Sequence, residues 1–436
     1  MSFPPIDETH DPALQCWVTG AQDHAPFPVQ NLPFGVFSQG ETGKARIGVA
    51  IGDFVLDLGA IAELLPVPRT MLEAGGLEAL MARPQAARLA LRRALSRVLS
   101  DPAMEARVGP HLHAQADCMM HLPMRIGDYT DFYVGIHHAR NIGALLRPDE
   151  PLLPNYKHVP IGYHGRASSV RPSGVAVRRP FGQSLPAGHE TPQFGPSARL
   201  DYEVELGVWV GQGSELGEPV PIARAGEHIA GFCLLNDWSA RDIQAWEYRP
   251  LGPFLAKNFH TTISPWVVTA EAMAPFRQPQ LERPDGDPPV PDYLWDGLDH
   301  ASGALALDLE AFIQSAAMRS AGIAPVRLSC GQAANMYWTV QQMVAHHTSN
   351  GCNLATGDLL GTGTISSEGR EGWGSLMELT KAGREPITLP GGETRKFLED
   401  GDEVTLRATA RAEGRVPIGF GECRAVVEGV AAPHAG

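Results

Sequence analysis

The chain has 436 residues, 43% of them hydrophobic and 19% charged, with a formal net charge of −14. An acidic chain with no basic cluster is a poor partner for nucleic acid or an anionic membrane, and it needs a local cationic pocket if its ligand is an anion. Its 47 glycines and 37 prolines exceed the roughly 12% combined share of an average chain. No collagen-like period absorbs them, so many turns and short strands are expected, hence a mainly β protein with a few helices. Cys16, Cys118, Cys233, Cys330, Cys352 and Cys423 form no C-x-x-C pair, which points to free thiols in a reducing compartment. Neither a basic, apolar leader nor a run of about eighteen apolar residues occurs, so a cytoplasmic protein is expected.

In chain order, residues 32–39 and 45–58 read as short strands joined by glycine turns, a small barrel-like unit. Residues 72–99, rich in Ala, Leu and Arg, read as helix interrupted near Pro84. No reactive constellation falls in this first part, which suits a structural or oligomerisation role. Residues 200–210 alternate as a half-buried strand does, and residues 229–235 form an apolar strand. A short helix is expected next, with Asp237, Arg241 and Gln244 at i, i+4 and i+7 on one stripe. Residues 254–268 read as a strand in which Lys257 is a lone ammonium among apolar neighbours. Burying that charge is costly unless a partner or substrate needs it. Residues 285–300 read as an exposed loop and 333–347 as a helix stopped by Asn350-Gly351, while 358–365, 376–379 and 403–408 read as strands.

Two threads of chemistry run through this pattern. Glu203 and Glu205, at i and i+2 on a strand, project from the same face, with no basic residue between Asp201 and Trp209. Asp131 and Asp237 are candidates to complete an all-oxygen set, which favours a hard divalent ion, Ca²⁺ or Mg²⁺, over zinc. The second thread is His137-His138, just after Asp131; the residues alone favour neither histidine. His164 and His346-His347 stand equally open. The chain lacks H-E-x-x-H spacing, a G-x-S-x-G elbow, a P-loop and a strand-borne G-x-G-x-x-G, which sets aside zincin, serine hydrolase, NTPase and dinucleotide readings.

The runs IGDYTDFY (126–133), VPIGYHGRASS (159–169), LDYEVELG (200–207), NDWSARDIQAWEYRPLGPFLAKNFHTTISPWVV (236–268), NGCNLATGDLLGTGTIS (350–366) and TRKFLEDGDEV (394–404), with His138-x-x-Asn141, closely resemble the fumarylacetoacetase family over nearly the whole chain. The resemblance implies a mainly β (α+β) fold, with an N-terminal SH3-like β-barrel domain over 1–123 and a catalytic mixed β-roll over 124–436, in a homodimer. It implies hydrolysis of the C–C bond of 4-fumarylacetoacetate to fumarate and acetoacetate. By position, Asp131, Glu203, Glu205 and Asp237 match ligands of a catalytic ion, usually Ca²⁺. Lys257 and Thr261 match positions near a second, Mg²⁺-type site. His138 matches the general base and Glu378 the acid that orients it. Arg241, Gln244 and Lys257 match groups around the developing oxyanion, and Tyr133, Arg147, Tyr163, Arg241, Gln244, Tyr248 and Thr364 match substrate-contacting positions. The chain departs from the family at Arg140, usually Thr, and over Ser366–Arg370, where many members have Gly-Pro; neither departure is expected to touch a catalytic match. The alternatives are a related acylpyruvate or diketone hydrolase, and a catalytically silent ligand-binding β protein.

Overall fold

The structure is a computed structural model and describes residues 3–22, 24, 26–40 and 43–430. Three sheets dominate it. The N-terminal one is a five-stranded antiparallel sheet ordered Leu112–Ala114, Phe54–Asp57, Arg46–Ile51, Phe34–Gln39, Cys118–His121. Its path is open, a half-barrel whose edge strands do not pair with each other.

The central sheet has eight strands. Its path runs Gly162–His164, Tyr129–Phe132, Leu359–Gly361, Val204–Val210, Ile229–Asp237, Thr261–Ile263 and Val170–Pro172, with Val268–Thr269 also paired to Ile229–Asp237. The third is a five-stranded sheet ordered Val326–Gln332, Leu307–Gln314, Glu403–Ala410, Ile418–Glu428, Val177–Arg178.

The strand period of two decides how the layers stack. Val204, Leu206, Val208, Phe232 and Leu234 pack on one side with Leu309, Ala311, Val404, Leu406 and Phe420 of the third sheet. Trp209, Cys233, Leu235 and Ile263 pack on the other side with Val36, Ile47, Val49 and Leu56 of the N-terminal sheet. Every residue of Val204–Val210 is therefore buried. The expectation of a half-buried strand fails because both its faces are covered, and it sits mid-sheet between Leu359–Gly361 and Ile229–Asp237.

Other expectations are corrected too. Asp237 ends the strand Ile229–Asp237, paired with Thr261, and the helix begins only at Arg241, running Arg241–Glu247. Ladder pairing outweighs the weak strand propensity of Asn236 and Asp237. Residues 254–268 are not one strand: Lys257 lies in a turn, and pairing is confined to Thr261–Ile263 and Val268–Thr269. Leu376–Leu379 is a single helical turn capped by Ser375, whose side chain accepts from the Glu378 N–H. The long helix of the N-terminal part is Gln85–Ser100, with Arg69–Leu72 and Glu78–Met81 as separate turns before it. Residues 333–347 resolve into the turn Ala333–Asn335 and the helix Val340–Thr348, and 285–300 contains the turn Asp292–Leu294 and the start of the helix Gly297–Ser302. All six cysteines are free, Cys233 and Cys423 buried and the others half-buried. Among the described residues no helix is long and apolar enough to cross a membrane.

Candidate active site

Four neighbouring strands of the central sheet bring the carboxylates together. Asp131 comes from Tyr129–Phe132, Glu205 from Val204–Val210 and Asp237 from the end of Ile229–Asp237. Leu359–Gly361 runs between the first two, and its Gly361 pairs with Asp131 on one side and Gly207 on the other. A Cβ at Gly361 would meet Asp131 Oδ1 at 2.7 Å, Glu205 Oε2 at 3.1 Å and the Tyr129 hydroxyl at 3.1 Å. The missing side chain is what lets two carboxylates converge across the strand. One oxygen each from Asp131, Glu205 and Asp237 lies within 4.8 Å of the others, and all three residues are buried.

The electrostatics of this cluster are lopsided. Burial and mutual repulsion push the Asp131 and Glu205 carboxyls well above their usual range. Asp237 is raised as well, by burial first, against the pull of Lys257. Asp131 Oδ1, Glu205 Oε1 and the Tyr129 hydroxyl are buried with no hydrogen-bond partner. Orphaned oxygens around a side-chain-free cradle fit a hard, oxygen-loving divalent cation, which would neutralise charge the protein leaves uncompensated.

Glu203 stands apart from this trio. Its Oε2 accepts from the Lys257 ammonium, and its Oε1 lies 2.8 Å from Arg241 Nη2. Burial opposes its charge, but Lys257 and Arg241 outweigh that and hold its carboxyl far below the ordinary range. Lys257 also donates to Asp237 Oδ2, so the ammonium bridges the two. Burial would strip its proton, yet the two carboxylates raise its affinity for it. Thr261 Oγ1 donates to Asp237 Oδ1 at 3.4 Å, and the Tyr163 hydroxyl donates to Asp237 Oδ2 at 3.2 Å.

On the far side of Glu203 is a histidine–carboxylate pair. His138, in the helix Ile136–Leu146, is 2% exposed; its Nδ1 donates to Glu378 Oε2 at 2.7 Å, and its Nε2 lies 3.7 Å from Glu203 Oε1. Glu378 also accepts from Asn141 Nδ2 at 2.8 Å, Ser375 Oγ at 2.8 Å and Ser366 Oγ at 3.0 Å. Burial works against its charge, but His138 and these donors keep its carboxyl below the usual range. Ser366 thus corrects the expectation that the departure after Thr364 touches no matched residue. His137 is half-buried beside Arg140, without such a carboxylate partner. Arg140 is exposed on the same helix.

Around this pair, the Tyr133 ring meets the His138 ring edge-on with centroids 5.7 Å apart. Arg241 Nη1 donates to Gln244 Oε1 at 3.1 Å, turning the Gln244 amide nitrogen away from the guanidinium. Arg147 follows the helix Ile136–Leu146, donates to the Pro151 carbonyl at 3.4 Å, and keeps its Nε buried without a partner. Thr364 is buried in the stretch whose next residue, Ile365, donates its N–H to the Val204 carbonyl. Tyr248 sits beyond the helix Arg241–Glu247, its ring covered by Arg249 at 5.1 Å, and is the matched residue least drawn into the cluster. The sequence alone gives no role to Tyr129, Gly361, Ser375 or Asp201. Only Asp201 carried a usable signal: it shares the i, i+2 parity of Glu203 and Glu205.

The fumarylacetoacetate (FAA) hydrolase C-terminal family model matches residues 129–428, and the fumarylacetoacetase N-terminal model matches 30–123. Over 417 residues the chain is 46% identical to a Caenorhabditis elegans protein named fumarylacetoacetase, covering 93% of this chain and 97% of that one. Fumarylacetoacetases of Rattus norvegicus and Homo sapiens are 44% and 43% identical over 435 residues, with 97% of each chain covered. A solved Mycobacterium smegmatis structure, 20% identical, shares the fold at a TM-score of 0.50, covering 91% of this chain and 100% of that one.

Proposed function

This chain belongs to the fumarylacetoacetase family and hydrolyses 4-fumarylacetoacetate to fumarate and acetoacetate, and we propose that His138, held by Glu378, drives the attack of water on the ketone carbonyl. The observation that carries this reading is the His138–Glu378 hydrogen bond of 2.7 Å, which commits Nδ1 and leaves Nε2 as the free base. Nε2 takes a proton from water as the oxygen bonds to the carbonyl carbon. The carbonyl becomes an oxyanion, and the donors left over after the ion pairs are counted are those that face it. Arg241 has one Nη1–H beyond its bond to Gln244, Lys257 has one N–H beyond its two carboxylates, and the Gln244 amide nitrogen has two. Each such donor is worth roughly 2.7–4 kcal/mol of barrier. Collapse of the oxyanion breaks the C–C bond, the electron pair leaves on the acetoacetate carbon as an enolate, and the imidazolium returns the proton to that carbon.

Asp131, Glu205 and Asp237 are the residues that would hold a divalent cation, Ca²⁺ or Mg²⁺, with Glu203 beside them; Lys257 and Thr261, both bonded to Asp237, would flank a second Mg²⁺-type position. Bound there, a cation supplies Lewis-acid stabilisation of diketone and enolate oxygens. Tyr133, Arg147, Tyr163, Tyr248 and Thr364 shape the substrate pocket, and the Arg147 guanidinium answers how an acidic protein holds an acidic substrate. We further read residues 1–123 as the structural, SH3-like part and 124–436 as the catalytic β-roll of a cytoplasmic homodimer. Every side chain given a role here lies after residue 123, which supports that division.

The test is loss of diketone absorbance on fumarylacetoacetate, with identification of both products, for the wild type and His138→Ala. Wild-type turnover with a loss of about 10²–10⁴-fold in the variant is expected. Near wild-type activity in folded His138→Ala removes that residue from its role. Clear preference for acylpyruvates transfers the site to a related diketone hydrolase.

A further inference from the structure

Arg241 and Glu378 come from segments far apart in the chain, and one carboxylate ties them together. Asp201 is wholly buried, paired in register with Ser239 just before the helix that carries Arg241. Its Oδ2 accepts from Arg241 Nε at 2.9 Å, with Nη2 equally close. The same oxygen accepts from the Met377 N–H at 3.1 Å, while Oδ1 accepts from the N–H groups of Leu376 at 2.8 Å and Tyr202 at 2.9 Å. Leu376 and Met377 open the single turn that presents Glu378 to His138.

We propose that Asp201 is a positioning residue for the hydrolysis, fixing the Arg241 guanidinium and the Glu378 turn in one frame. Stability alone explains it poorly, because a buried ion pair is often matched or bettered by apolar packing of the same volume. Geometry explains it well. A guanidinium gripped along its Nε edge cannot rotate, so the N–H left on Nη1 keeps one heading. The same grip holds the first two amides of the turn, so the distance from the oxyanion donor to the general-base pair is set by one rigid group. The assignment rests on Arg241 acting as an oxyanion donor.

Asp201→Asn preserves shape but replaces one accepting oxygen with a donor. At equal folded concentration, kcat is expected to fall by about tenfold or more. Residues that act as a unit lose activity non-additively, so Asp201→Asn/Arg241→Ala is expected to be no slower than Arg241→Ala alone. Guanidinium added to Arg241→Ala restores part of the rate, and that rescue is expected to weaken in the double variant. A purely structural Asp201 would lower the melting temperature, leave kcat per folded molecule intact and permit equal rescue; that outcome overturns the proposal. If Arg241→Ala itself retains full kcat, the oxyanion reading fails and this one with it. A slow Arg241→Ala beside a fast Asp201→Asn removes Asp201 alone.

Discussion

Replacing Gly361 with alanine tests the carboxylate cradle with one methyl group. The new Cβ would lie 2.7 Å from Asp131 Oδ1, where comfortable contact begins at 3.4 Å, and 3.1 Å from Glu205 Oε2. Gly361 is paired on both sides, to Asp131 and to Gly207, so its strand cannot slide away. The strain falls on the carboxylates, which must part by about 0.7 Å, and overpacking of this kind costs about 1–3 kcal/mol. Taken from the cation site, that is a weakening of about 5- to 150-fold in dissociation constant. Calorimetric titration of Ca²⁺ and Mg²⁺ into chelator-stripped protein measures it. Gly195→Ala is the control, since a Cβ there meets nothing within 4 Å. A folded Gly361→Ala protein that binds both ions as tightly as the wild type would refute the assignment of Asp131 and Glu205 as ligands.

Ser366→Ala removes one donor from Glu378, a charge-assisted bond worth about 1.5–3 kcal/mol, partly covered by Asn141 and Ser375. A fall of about tenfold in kcat with little change in melting temperature is expected, and unchanged kcat would separate Ser366 from catalysis. Lys257→Met leaves Glu203 and Asp237 buried without their shared cation, at a cost of about 3–5 kcal/mol in urea denaturation. Excess Ca²⁺ should return part of that loss; a variant as stable as the wild type without metal would contradict the pairing. His10 is largely buried, its Nε2 donating to the Glu271 carbonyl at 2.9 Å, and burial, with Arg92 nearby, lowers its pKa from 6.5 to about 4. The folded state therefore resists a proton that the unfolded chain accepts. The His10 contribution is intact above pH 6.5 and is lost as pH falls toward 4, by about 3 kcal/mol in all. Denaturation at pH 7 and pH 4 should show the gap between wild type and His10→Gln shrinking by about that amount, and a constant gap would exclude the effect.

Side-chain parity made Glu203 and Glu205 legible, because a two-residue period holds wherever a strand is fully paired. The stripe of Asp237, Arg241 and Gln244 was drawn on a helix that only Arg241 and Gln244 occupy. The strand runs on to Asp237 because Thr261 pairs with it, a long-range fact with no local trace. Residues 376–379 misled for the opposite reason: four mostly apolar residues carry no period, and the Ser375 cap that makes them a turn spans only three positions. The two-sided burial of Val204–Val210 depends on the N-terminal sheet closing over it, which alternation within the strand cannot disclose. Glu378, 240 positions from His138, was reachable through resemblance and not through spacing.

The face of the central sheet that bears Glu205 and Asp237 is the same face on which Trp209, Cys233 and Leu235 meet Val49 and Leu56 of the N-terminal sheet. The carboxylate cluster and the greasy seam are thus successive positions on the same two strands. A lesion planted in the seam, such as Val49→Ala, has a stiff lever to the carboxylates only a few residues along. Carriers of such a lesion should lose grip on their cation at temperatures where the bulk of the chain still holds its shape. Heat-sensitive activity, relieved by added metal, becomes the signature of damage in a region to which the proposed chemistry assigns no residue.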